Sequence, residues 1–158
     1  VKISKNSANR RGRFFRYAPL ILWIGLVMLA SMTQASMANT SRFIRPFLIF
    51  LFPDAPEAII DIYHAYIRKS AHFIEYAILA FWAWRAFWNS SKEFLRKYWF
   101  AVSFLTVVSV ASIDEYNQSL NLTRTGSIYD VLLDVSGGLA MILLLWLFTK
   151  KQSLSTVF

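Results

Sequence analysis

The run Arg68-Lys69-Ser70-Ala71-His72-Phe73-Ile74-Glu75-Tyr76-Ala77-Ile78-Leu79-Ala80-Phe81-Trp82-Ala83-Trp84 decides how this chain is read. Its second half is apolar on every side, as a helix enclosed by lipid or by other helices must be. Its first half is polar. At about 100° per residue, Arg68, Lys69, His72, Glu75 and Tyr76 fall on one helical face. Such a segment is expected to cross a bilayer with that face turned toward protein, because ionisable groups facing lipid cost about 2.5–3.5 kcal/mol each on insertion scales.

Working outward, three other runs have the length to cross a hydrocarbon core, about 20 residues. The spans expected are 17–35, 69–88, 98–117 and 128–148. The first is centred on Leu20-Ile21-Leu22-Trp23-Ile24-Gly25-Leu26-Val27-Met28-Leu29-Ala30. Between the first two, Phe43 to Phe52 is apolar but interrupted by Arg45 and Pro46, too short to span and expected to be interfacial or re-entrant. Asp54 and Glu57, with Pro56 between them, read as a helix start. Ile59, Ile62, Tyr63, Tyr66 and Ile67 then recur at helical spacing, with Asp61 and His64 off the stripe. The fold class expected is therefore all-α: an integral membrane bundle of four transmembrane helices, with an amphipathic outer-leaflet helix between the first and second.

Composition agrees. Hydrophobic residues make up 56% of the 158 and charged residues only 16%. The net charge of +8 is not one patch, as nucleic-acid binding would need, but short clusters at the ends of apolar runs. Lys2, Lys5, Arg10, Arg11, Arg13 and Arg16 precede the first span, Lys92, Arg96 and Lys97 follow the second, and Lys150 and Lys151 follow the fourth. Only Glu93 of the nine acidic residues lies on that side. The positive-inside rule then makes 1–16 a basic cytoplasmic N-terminus, 17–149 the membrane domain and 150–158 a cytoplasmic tail. A basic start, an apolar run and Ser36-Met37-Ala38 also fit a secretory signal peptide, whose removal would leave the other three spans oriented as before. With no cysteine, disulfides and thiolate chemistry are excluded, and any metal must rest on His72 or His64 with carboxylates.

The other two polar stripes lie at the same depth. The third span ends Asp114-Glu115-Tyr116-Asn117-Gln118, with Asp114 and Gln118 one turn apart. The fourth begins Ser127-Ile128-Tyr129-Asp130 and continues through Asp134, Gly137 and Gly138. All three stripes are expected to face one another in the outer half of the bundle. Blander readings stand beside this one. Ser127 and Asp130 also form a capping box, Gly137 and Gly138 suit close helix packing, and Arg68 and Lys69 can snorkel to headgroups. His64 reads as a surface histidine. His72, Glu75, Asp114, Glu115 and Asp134 can equally be a structural salt-bridge network.

These residues resemble the VanZ family of small bacterial membrane proteins, whose founding member is linked to low-level teicoplanin resistance. The resemblance runs from the first span to the last. It is carried by Arg68 to Tyr76, by Asp114-Glu115 with Gln118, by Arg124-Thr125-Gly126-Ser127, and by Asp130 with Asp134 before Gly137, with weaker support from the Ser/Thr-rich stretch Ser31 to Ser41. The family usually has a bulky residue and a Pro-Gly pair before the arginine, where this chain has Ser119 to Thr123, and Asn117 stands where a histidine or aromatic residue is common. The resemblance implies a role at the bacterial plasma membrane and cell envelope, with glycopeptide resistance as its phenotype, and supplies no mechanism.

The leading expectation is a site for the head group of an envelope lipid or glycoconjugate at the outer leaflet. His72, Glu75, Asp114, Glu115 and Asp134 are its acid–base candidates, and Arg68, Lys69, Tyr76, Gln118, Arg124, Ser127 and Asp130 its ligand-binding ones. His72 is placed to act as base, or as a metal ligand beside Glu75 and Asp114; no cofactor is identified, and the single His72–Glu75 spacing is weak evidence for a divalent metal. A non-catalytic membrane scaffold that organises partner membrane proteins, or a module binding glycopeptide or cell-wall precursor, is the alternative, and it would tolerate His72→Gln or Glu→Gln changes better than an enzyme. A transporter is disfavoured, because the inner halves of the second and fourth spans are apolar and only Ser103, Thr106 and Ser109 of the third are polar there.

Overall fold

The computed structural model describes residues 2–33, 37–120 and 127–155. Among them every regular element is a helix: α1 Lys2–Thr33, α2 Met37–Leu51, α3 Glu57–Trp88, α4 Glu93–Lys97, α5 Trp99–Ser119 and α6 Ile128–Ser155. The expected spans fall mainly within α1, α3, α5 and α6, the last residues of the first lying outside the described residues. Among the described residues, three segments are long and apolar enough to cross a membrane: Gly12–Ser31, Trp99–Ser119 and Ile128–Lys150. Their outward faces carry Leu22, Leu26, Leu105, Leu143 and Phe148, each at least half exposed, which is the surface a lipid solvent requires.

Helix α3 differs in composition, because Glu57, Asp61, Arg68, Lys69, Glu75 and Arg85 lie along it. Yet it is the hub, packing against each of the other five helices. Its inner face is Tyr76, Leu79, Ala80, Ala83 and Ala86, all fully buried. The small alanines let neighbouring backbones come close, which is how helices gain packing energy in a medium as apolar as their own side chains. Leu20 and Val27 of α1, Val107 and Ala111 of α5, and Ile142 and Leu145 of α6 complete this core.

Two contacts set the directions. At the middle of α1, the Tyr17 hydroxyl meets Ser90 Oγ, just past the end of α3, at 2.8 Å. Near the end of α1, Ser31 Oγ donates to the Asp114 carbonyl, near the end of α5, at 3.1 Å. Helices α1 and α5 therefore run one way and α3 and α6 the other. The middle of α3, around His72 to Tyr76, meets the end of α5 and the start of α6 at one level of the bundle.

The segment before the second span departs from expectation in two ways. First, α3 is continuous from Glu57, so the Ile59–Ile67 stretch is the leading part of the long helix and not a separate surface helix. The start is one residue past Pro56, whose carbonyl accepts from Ile59 and Ile60, and no side chain caps it. Second, His64, expected at the surface, lies on the inner face, whereas the apolar stripe faces outward, the side a helix lying on a leaflet presents to lipid. Ile59, Ile62, Tyr63, Tyr66 and Ile67 are exposed, while Ile60 and His64 are 3% and 2% exposed. Helix α2, with Pro46 inside it, is the separate element, and it packs on α3. Arg45 pins it by donating to Glu57 and Asp61, one α3 turn apart, each at 3.0 Å. These exposed pairs contribute at most about 1 kcal/mol apiece.

Candidate functional site

Where the three polar stripes meet, the side chains converge as expected. Asp134 sits six residues into α6, about 9 Å along the helix, and Asp114 five residues before the end of α5, about 7.5 Å. Both are buried, 1% and 2% exposed respectively. The approach of the helices is set by two glycines. A Cβ at Gly137 would stand 2.2 Å from the backbone oxygen of Phe73, and one at Gly138 would stand 2.5 Å from Cγ1 of Val107. Only residues without side chains let α6 touch the α3 backbone and the α5 surface at consecutive positions, so the close-packing reading of this pair holds.

Asp114 is the satisfied member. Tyr76 Oη donates to its Oδ2 at 2.9 Å, and Gln118 Nε2, one turn along α5, donates to its Oδ1 at 3.0 Å. Hydrogen bonds to a carboxylate are the strong kind, and here all three partners are buried. Asp134 is the unsatisfied one. Neither of its carboxylate oxygens has a hydrogen-bond partner, and the same holds for His72 Nδ1. Those two groups lie 3.5 Å apart, an ion-pair contact without hydrogen-bond geometry. One donor atom from each of His72, Asp114 and Asp134 can be chosen so that all three lie within 4.8 Å of one another. Glu75, half-buried one turn beyond His72, interacts electrostatically with all three. Its backbone carbonyl accepts from Trp23 Nε1 at 3.1 Å, tying α1 to the site.

The remaining expected residues take different places. Glu115 is 8% exposed, and a carboxylate oxygen accepts the backbone N–H of Ser127 in a short hydrogen bond. Ser127 Oγ in turn accepts from Tyr129 N at 3.2 Å. Ser127 is thus a helix cap. The reciprocal carboxylate of the capping box is supplied by Glu115 from α5, not by Asp130 of the same helix. Asp130 is half-buried, with its N–H on the Ser127 carbonyl at 2.9 Å. Lys69 is exposed and lines an apolar cavity of about 500 Å³ with Tyr66, Ser70, Phe73, Ile74 and Leu133. Arg68 is half-buried, and Arg124 lies outside the described residues.

The sequence reading missed two contributors and misplaced a third. Ser31 and Trp23 of α1 hold backbone carbonyls of the site, and a serine or tryptophan in an apolar run gives no sign of which carbonyl it will find. His64 is buried rather than a surface group, with Nε2 unpartnered. The signal available was its position: eight residues before His72 puts both on one side of α3.

The fold and the cluster together define a helical membrane protein with a buried histidine–carboxylate site near one end of its bundle. Residues 15–149 match the VanZ/LLP1 family, and the chain belongs to that family. Comparison with curated proteins gives no match, and comparison with solved structures gives none.

Proposed function

We propose that this chain is a four-span membrane protein whose buried cluster engages the head group of an envelope lipid or lipid-linked glycoconjugate at the outer leaflet, contributing to glycopeptide (teicoplanin) resistance. Helix α3 is the fourth span in this reading. It packs against α1, α5 and α6, with contacts at both bundle ends, so it cannot stay out of a bilayer that they cross. Its polar face is partly covered by protein around His72 and Tyr76, which lowers the cost that its composition implies. The end carrying Arg13, Arg16, Lys92, Arg96 and Lys97 is cytoplasmic by the positive-inside rule, and the cluster lies at the other end.

The observation that carries the reading is Asp134, a carboxylate 1% exposed with both oxygens unpartnered beside His72. A purely structural network is expected to satisfy its members, because each unpaired buried polar group costs about 1–3 kcal/mol, more when charged. A group left unsatisfied at that cost suits a site completed by something else. The adjacent apolar cavity with Lys69 among its lining residues suits a lipid, with an acyl chain among Phe73, Ile74 and Leu133 and the ammonium beside a phosphate.

The test is teicoplanin and vancomycin susceptibility of a Gram-positive host carrying empty vector, wild type, Asp134→Asn or His72→Gln, with membrane abundance matched by blot. The reading expects protection by wild type and loss with both variants. Protection retained by both variants makes the cluster dispensable and leaves a non-catalytic binding module. Equal susceptibility of wild type and empty vector refutes the resistance role.

A further inference from the structure

We propose that His72, Asp114 and Asp134 form a binding site for one first-row divalent cation, of the Zn²⁺ or Mn²⁺ type. The inference rests on the reading of this cluster as a working site, and it names what completes it.

Four features point the same way. The first is distance. Two donors each about 2.1 Å from one ion at a tetrahedral angle lie about 3.4 Å apart. His72 Nδ1 and Asp134 Oδ1 are 3.5 Å apart, beyond the usual N–H···O range of about 2.7–3.2 Å. The spacing is that of two ligands sharing an ion. The second is vacancy of lone pairs. His72 Nδ1 and both Asp134 oxygens make no hydrogen bond, Nδ1 and Oδ1 meeting only in the 3.5 Å ion-pair contact. The Asp114 oxygens each accept one hydrogen bond and keep a second lone pair.

The third feature is support around the ligands. Tyr76 and Gln118 hold the Asp114 carboxylate from opposite oxygens, the outer-shell arrangement that orients metal-binding carboxylates. The three ligands come from α3, α5 and α6, so the site assembles only when the bundle packs. The fourth is charge. Carboxylates this deeply buried carry charge only with compensation, and buried charges are paired or coordinate metals. A divalent ion balances both.

The donor set selects the ion class. One imidazole and two carboxylates with no thiolate suit Zn²⁺ or Mn²⁺, whereas Ca²⁺ and Mg²⁺ take oxygen-only shells. Three protein ligands leave a fourth position open, and the His72 side chain is 21% exposed, which gives that position access from outside. A phosphate or carboxylate oxygen of a headgroup would bind there. Glu75, the other acidic residue of the cluster, lies one turn along α3 from His72 and outside the three-ligand set. The ligand set differs from the sequence expectation, which paired His72 with Glu75 and Asp114; packing puts Asp134 in the position of Glu75.

The experiment is metal binding by the purified full chain in detergent, with no activity needed. Protein stripped with chelator is loaded with Zn²⁺, Mn²⁺ or Co²⁺, desalted and analysed for metal, with visible absorption recorded for Co²⁺. The wild type is expected to retain about one equivalent per chain. Asp134→Asn and His72→Gln should retain essentially none while keeping wild-type helicity by circular dichroism. Tyr76→Phe should bind about 10–100-fold more weakly. Glu57→Gln, on the exposed start of α3, should match wild type. The proposal is overturned if wild type retains no metal, or if the Asp134 and His72 variants retain as much as wild type.

Comparison with the susceptibility assay separates the two readings. No bound metal, with Asp134→Asn still abolishing protection, removes the ion and leaves the headgroup site. Stoichiometric metal in a protein that gives no protection keeps the ion and removes the resistance role.

Discussion

Gly137→Ala tests the helix crossing on which the site depends. The added methyl would sit 2.2 Å from the Phe73 carbonyl oxygen, 2.9 Å from its carbonyl carbon and 3.0 Å from its Cα, all backbone atoms. No rotamer change relieves that. Bringing the shortest contact to an ordinary 3.4 Å requires α3 and α6 to part by about 1.2 Å. Overpacking costs about 1–3 kcal/mol, and a clash with backbone belongs at the upper end. Alanine recovers up to about 1 kcal/mol of helix propensity, so the net destabilisation is about 2 kcal/mol. The same separation would carry Asp134, one turn before Gly137, away from His72, whose neighbour Phe73 makes the clash.

The assay is denaturant unfolding in micelles followed by circular dichroism, with Gly138→Ala as the paired case. There the obstacle is a side chain, Val107 Cγ1 at 2.5 Å. The double variant Gly138→Ala/Val107→Ala should therefore recover most of the loss seen in Gly138→Ala. Gly137→Ala/Phe73→Ala should recover nothing, because truncating Phe73 leaves its carbonyl in place. Unchanged stability of Gly137→Ala, or its rescue by Phe73→Ala, would refute the packing argument.

Three further outcomes follow from particular contacts. Glu115→Gln should stay within about 0.5 kcal/mol of wild type, since the amide oxygen still accepts from Ser127, whereas Glu115→Ala should cost about 1–2 kcal/mol by uncapping α6; unfolding midpoints decide. Tyr76→Phe removes a buried hydrogen bond to a carboxylate and should cost about 1.5–3 kcal/mol by the same measurement, and no change would mean that Asp114 finds another donor. His64→Leu should be neutral or stabilising, because it replaces a buried imidazole with an unpartnered nitrogen by an apolar group of similar size. A loss of more than about 1 kcal/mol would show that His64 has a partner in the membrane.

Much of the architecture was legible without coordinates. Span length, the basic clusters at one end and the shared depth of three polar stripes follow from the residue string, because bilayer thickness and helical rise convert sequence position into depth. The family resemblance was legible from the same residues, since the positions that carry it are those whose presence in apolar runs needs explaining. The composition of α3 was harder to weigh. Six charged residues argue against a span, while its packing against every other described helix argues for a central place in the bundle.

Tertiary structure decided which faces meet. Periodicity tells which residues share a side of a helix, but in lipid the apolar side is not automatically the inner one, because the solvent is as apolar as leucine. That is why the Ile59–Ile67 stripe can point outward while His64, read as a surface histidine, points inward. The same ignorance of rotation about each helix axis left Glu75, Glu115 and Asp134 equivalent on paper. Packing separates them: Glu115 caps α6, Glu75 lies beside the cluster, and Asp134 meets His72 because glycine at 137 lets α6 rest on the α3 backbone.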